Sequence, residues 1–161
     1  MLNNSIRVLK MKCKLIVVPF ACCLMINSIN LYAEGDLTTQ KAISQTVYLG
    51  NKLNAMRFYP AHLKFETGKL YKLVLHNPGT LKHYFTAEAF SRSVFTRKVE
   101  IKNKSNATIA EVKGVINEIE VYPGGTAEWW FVPIKTLQSA RLYCSIKGHV
   151  EAGMLGSISI D

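Results

Sequence analysis

The sequence predicts an all-β domain of two packed sheets, and three observations carry that reading. Short alternating or apolar runs recur from residue 45 to the C-terminus. Turn residues punctuate them at close intervals. Only one stretch has helical spacing.

The runs are 44–49, 63–65, 70–76, 117–122, 126–132, 139–144 and 154–160. Each reads as a strand. Gly68, Asn77-Pro78-Gly79, Pro123-Gly124-Gly125, Pro133 and Gly148 mark turns. Thr86 to about Val94 breaks the pattern. Thr86 is an N-cap candidate, Glu88 follows early, and Phe90 and Val94 are four apart, so a short helix is expected. Residues 98–112 then predict a hairpin around Asn103-Lys104-Ser105-Asn106. Together, residues 86–114 read as an excursion between two core strands, helical around 86–97. No internal repeat or low-complexity tract is visible.

Residues two apart on a strand share a face. Ile119 and Val121 therefore face the core opposite Glu118 and Glu120. Ala140, Leu142 and Cys144 share a face opposite Arg141 and Tyr143. Met154, Gly156, Ile158 and Ile160 share another, opposite Ser157 and Ser159. Cys144 and Met154 thus both point inward at one end of their strands.

The chain has 161 residues, enough for one domain with a substantial core. Its first 33 read as a secretory signal: Arg7, Lys10, Lys12 and Lys14 precede an apolar run over residues 15–26, and Ala33 precedes a cleavage point at Glu34. The run is short of the about 20 apolar residues of a membrane span, so no stable span is expected after cleavage. A periplasmic location follows, with a membrane anchor as the alternative. Residues 34–44 read as a loose lead-in. Cleavage removes four basic residues and no acidic one, which leaves 16 Lys and Arg against 11 Asp and Glu, a net charge near +5. The basic residues are scattered, with no run beyond Arg97-Lys98, so no nucleic-acid partner is expected. Cleavage also removes Cys13, Cys22 and Cys23, and Cys144 remains as a lone thiol in an oxidising compartment. Either a metal holds it as thiolate, or it is a buried cysteine packed as a small hydrophobe.

Cys144, His149 and Met154 form a C-x₄-H-x₄-M run. A thiolate, an imidazole and a thioether on one short loop make a soft donor set. A His₂Cys site with a weak axial Met is the copper electron-transfer form of it. A second histidine must come from His62, His76 or His83. His83 shares a face with Phe85 just after the Asn77-Pro78-Gly79 turn, which brings it to a loop end. His76 lies on the Lys72 face as a partly exposed strand histidine, and His62 follows Pro60 in a turn. Met154 also fits a plain packing role, since Met fills core gaps.

At these residues the chain resembles the cupredoxins, nearest to the plastocyanin and azurin-like group. Leu75-His-Asn-Pro-Gly-Thr-Leu-Lys-His83-Tyr-Phe85 looks like their first ligand loop, and Cys144 to Met154 looks like their second. Tyr122-Pro-Gly-Gly-Thr-Ala-Glu-Trp129 and Met56-Arg-Phe-Tyr-Pro60 also resemble the family. The resemblance covers residues 45–161. It implies a Greek-key β-sandwich with one mononuclear type 1 copper site, ligated by His83, Cys144, His149 and axial Met154. It further implies Cys144 as the electronic coupling, His149 as the electron's exit, and the Tyr84 N–H as a donor to the Cys144 sulfur. The family often has Pro before the Gly-His of the second loop. Lys147 stands there instead, which removes a φ constraint and suggests an acidic docking partner.

The implied function is single-electron transfer with a redox protein such as a cytochrome or an oxidase. The alternative is a periplasmic copper-trafficking protein with no redox partner. Multicopper enzymes need further domains and more His ligands, a binuclear site needs a second loop Cys, and Met is a poor fourth ligand for zinc.

Overall fold

The computed structural model describes residues 39–161. The expected signal segment, and the lead-in up to residue 38, lie outside the described residues. Among the described residues, eleven strands and one helical turn follow in chain order. They are β1 (Ile43–Leu49), β2 (Phe58–Tyr59), β3 (His62–Phe65), β4 (Tyr71–His76), β5 (His83–Thr86), α1 (Glu88–Ser91), β6 (Val94–Lys102), β7 (Thr108–Val112), β8 (Glu118–Val121), β9 (Thr126–Pro133), β10 (Leu137–Tyr143) and β11 (Leu155–Ile160).

One sheet has the order β2-β1-β4-β9-β6-β7, and the other β3-β11-β10-β5-β8. The β1·β4 and β3·β11 pairs are parallel and the rest antiparallel. The chain leaves the first sheet after β2, contributes β3 to the second, and returns as β4 beside β1. At the tail end of the expected lead-in, the Gln40 amide donates to the Gly68 carbonyl and accepts from the Leu70 N–H.

Alternation builds the core as the sequence predicts. Tyr71, Leu73 and Leu75 of β4 face inward, and so do Ala127, Trp129 and Phe131 of β9. Such aromatic burial contributes about 1.5–3 kcal/mol per side chain. On the outer face of β9, Glu128 lies near Lys72 and Lys102, at 3.6 and 3.5 Å. Beside it, hydrogen bonds from Lys102 and Lys98 hold the Glu100 carboxyl down to about 2. These pairings explain why two carboxylates sit almost fully covered on a sheet surface.

The helical excursion is one turn long. Thr86 does not cap it: Thr86 ends β5 and donates to Glu118, while Ala87 occupies the N-cap without a side-chain bond. An isolated turn is unstable in water. Tertiary contacts supply what propensity does not. Phe90 packs against Phe65, Phe131 and Trp129 at centroid distances of 5.4, 5.1 and 5.4 Å. Tyr143 donates to Glu88 at 2.7 Å, tying the turn to β10. Residues 94–97, expected to be helical, instead extend the expected hairpin arm of 98–102 into one strand, which is hydrogen-bonded to β9 along its length. The hairpin expected around residues 103–106 is present between β6 and β7.

Gly156 of β11 lets the second sheet close. A Cβ there would lie 2.2 Å from the Ala61 carbonyl oxygen, against the backbone that leads into β3. Gly156→Ala is expected to cost about 2 kcal/mol through this overlap. Urea unfolding measures it, and an unchanged midpoint would contradict the close approach.

Candidate metal centre

His83, Cys144 and His149 come together at one end of the sandwich. One ring nitrogen of each histidine and the Cys144 Sγ all lie within 4.8 Å of one another. They are the one such group among the described residues. His83 opens β5, Cys144 follows directly on β10, and His149 lies in the loop that leads to β11. One strand and the single loop between β10 and β11, all at one end of the same sheet, therefore supply the three.

The first loop is set by Asn77, which is fully buried. Its amide donates to the Leu81 carbonyl at 2.7 Å and the Val121 carbonyl at 2.9 Å, and its oxygen accepts from the Gly79 N–H at 3.0 Å. One side chain thus closes the turn before His83 and ties it to β8. A neighbouring loop adds a second tie, with the Thr80 N–H donating to Asn54 at 2.8 Å. Gly50 makes room for the His83 ring: with φ of +80°, it has a missing Cβ that would lie 3.1 Å from His83 Nε2.

The second loop holds itself. The His149 N–H donates to the Ile146 carbonyl at 3.1 Å, across Lys147 and Gly148. Gly148 takes φ of +87°, which suits glycine. The Met154 N–H then donates to the His149 carbonyl at 2.8 Å, and the Cys144 N–H to the Met154 carbonyl at 3.3 Å. A hydrogen-bonded turn thus constrains the position where a Pro was expected. Met154 is fully buried with the core.

His83 Nδ1 and Cys144 Sγ each lie 3.3 Å from His149 Nδ1. A metal–imidazole bond is about 2.0 Å long, so two of them at about 120° place their nitrogens roughly 3.5 Å apart. The observed spacing fits a shared ion. The donor types fit too, since thiolate with imidazole favours soft or borderline metals. His83 Nε2 is buried without a protein partner. The Tyr84 N–H donates to Cys144 Sγ at 3.2 Å, as the sequence resemblance implied. His83 is fully covered and His149 partly exposed.

Burial, then the neighbouring His149, pushes the His83 imidazole down to about 4. Burial also lowers His149. Both rings are therefore neutral at pH 7, with lone pairs available to a metal. The linkage follows from the sign of the His83 shift. The unfolded chain takes up this proton near 6.5 and the folded one only near 4. The metal-free protein should have its full His83 contribution above pH 6.5 and lose on the order of 3 kcal/mol as pH falls to about 4. Urea midpoints across that window test this, and His83→Gln should flatten the slope.

The other two histidines stand apart. His76 is half-buried on β4, its Nδ1 2.9 Å from Thr126 Oγ1. His62 is exposed, as expected, but it begins β3 rather than lying in a turn, and its Nδ1 is 2.8 Å from Ser157 Oγ. Sequence reading noted Asn77 only as a turn residue and passed over Gly50; an Asn-Pro-Gly turn just before a candidate ligand was the available signal.

No family model and no curated protein sequence matches the chain. Solved structures do. It is similar to the McoA multicopper oxidase of Aquifex aeolicus (TM-score 0.57, 14% identity, 78% of this chain and 31% of that one). It is also similar to a multicopper oxidase from Campylobacter jejuni (0.51, 13%, 76% and 31%) and to the Cu-containing nitrite reductase NirK of Thermus scotoductus (0.51, 13%, 74% and 31%). The chain spans about a third of the length of each. At these identities the likeness is one of fold, and the fold is the cupredoxin β-sandwich. Among the described residues no helix is long and apolar enough to cross a membrane.

Proposed function

We propose that this cupredoxin-fold chain is an exported type 1 copper protein that carries single electrons between redox partners, and that it is not itself an enzyme. The observation that carries the reading is the convergence of His83, Cys144 and His149 within 4.8 Å on a stiff two-sheet scaffold. These three would hold the ion, and the buried Met154 thioether, just before β11, would be a further, weaker donor to it. Bound copper would supply a one-electron Cu(I)/Cu(II) couple.

The protein's own part is to keep its donors still. Asn77 fixes the loop before His83, and the chain of bonds from Ile146 to Met154 fixes the loop around His149. A site that moves little between oxidation states suits fast electron exchange. The Tyr84 N–H draws charge from the Cys144 sulfur, and the covered core around it keeps water out, two factors that tune a potential. His149, the more exposed ring, would pass the electron to a partner such as a cytochrome or an oxidase. Exposed Lys147 beside it would favour an acidic docking surface. Export to the periplasm rests on the basic and apolar leader of residues 1–33.

Copper trafficking without a redox partner would use the same donors. Voltammetry of the copper-loaded protein separates the two. The electron-carrier reading expects a reversible one-electron wave with little change in donor distances between oxidation states by X-ray absorption. An irreversible wave, with loss of a ligand on reduction, would favour trafficking.

A further inference from the structure

The free edge of the first sheet carries a self-complementary pattern. β7 pairs only with β6 among the described residues, and all five of its residues are exposed. Natural proteins usually blunt such an edge, because its unpaired N–H and C=O groups invite another strand. This one exposes apolar side chains beside one charge of each sign, Glu111 and Lys113. Ile109 is 65% exposed, Val112 46% and Val115, just beyond the strand, 69%. Phe95 lies in a shallow groove with Lys98, Glu111 and Lys113 beside it, and is itself exposed.

We propose that β7 is an association surface for a second copy of this chain, paired antiparallel about a two-fold axis at Val112. The register follows from charge and apolarity. Centring the axis on Val112 sets Val112 against its own copy and Ile109 against Val115. It also sets Glu111 against Lys113, twice by symmetry. Centring it on Glu111 opposes two carboxylates, and centring it on Ala110 puts Ile109 opposite Glu111. Opposite charges across a strand pair stabilise it and like charges destabilise it, so the Val112 register is favoured.

The side chains can make the exchange. Glu111 lies 3.2 Å from Lys113 of its own strand and 3.5 Å from Lys98. The Lys113 side chain is 72% exposed and has room to turn toward a neighbouring strand. Lys98 keeps its bond to Glu100 whichever partner Glu111 takes. Gly114, at φ of +122°, bends the chain after Lys113, so the last pair needs a local extension that glycine permits. A pairing this short buries little surface, so the dimer is expected to be weak and concentration-dependent.

Sedimentation velocity of the protein expressed from the full chain tests the proposal, from roughly 1 to 200 µM. The expected result is a mass that rises from monomer toward dimer. Glu111→Lys and Lys113→Glu, each alone, should weaken association at least about 10-fold by opposing like charges. The two together should restore it, because the pair is reversed and kept. Circular dichroism confirms that each variant is folded. A wild type that is monomeric throughout would overturn the proposal. So would a dimer that neither single reversal weakens, or a double reversal that stays as weak as the singles.

Discussion

Cys144→Ser is expected to abolish the visible colour of the copper-loaded protein and to lower its copper affinity by more than about 100-fold. Loss of a residue that merely orients a ligand typically costs 10–100-fold in metal affinity, and loss of a ligand should exceed that. The serine hydroxyl is smaller and harder, and it does not ionise at neutral pH. It also gives the Tyr84 N–H, now 3.2 Å from sulfur, a different acceptor. The fold should survive, since Cys144 forms no disulfide and sits at the end of β10. Equilibrium competition with a copper chelator reads the affinity. A variant that keeps both the band and the affinity would place the thiolate outside the metal centre.

Asn77→Ala is expected to be the most destabilising single change near the site, by about 4 kcal/mol. The side chain has no exposed surface and makes three hydrogen bonds, to Leu81, Val121 and Gly79. Its removal strips this partner from the covered Val121 carbonyl and Gly79 N–H, and from the part-buried Leu81 carbonyl. Each such bond contributes about 1 kcal/mol, and each stranded buried group costs about 1–3 more. The loop it pins leads straight into His83, so the copper spectrum should broaden or shift while Cys144 and His149 remain. Urea unfolding together with the absorption spectrum checks both effects. A midpoint within about 0.5 kcal/mol of wild type would mean that another contact holds the loop.

Much of this was legible in the residues, for physical reasons. Period-two alternation exposed the strands with one dry face, such as β4 and β9, because the core imposes that pattern. The order Cys144, His149, Met154 on one short loop showed the donor set, because a few residues must supply several ligands there. The place of β6 in the sheet was obscured. Its outer face carries Lys98, Glu100 and Lys102, which break the dry period of a core strand but neutralise one another, with Glu128, against β9. β2 is two residues long, too short for any period to register. The helical turn rests on Phe90 within an aromatic cluster, a tertiary contact that overrode the capping signal read at Thr86. The buried amide of Asn77 was hidden for a similar reason: Asn-Pro-Gly reads as a turn, and its burial comes from tertiary neighbours, β8 and the loop at Asn54.

The proposed function stands on His83, Cys144 and His149 holding one copper ion through a thiolate. One equivalent of Cu(II) added to the metal-free protein, followed by visible absorption and paramagnetic resonance, tests it most directly. The expected result is an intense sulfur-to-copper charge-transfer band that saturates at one ion per chain, with a narrow copper hyperfine splitting. A protein that stays colourless and takes up no copper would contradict it, and the three side chains would then be only a buried polar cluster in a cupredoxin sandwich.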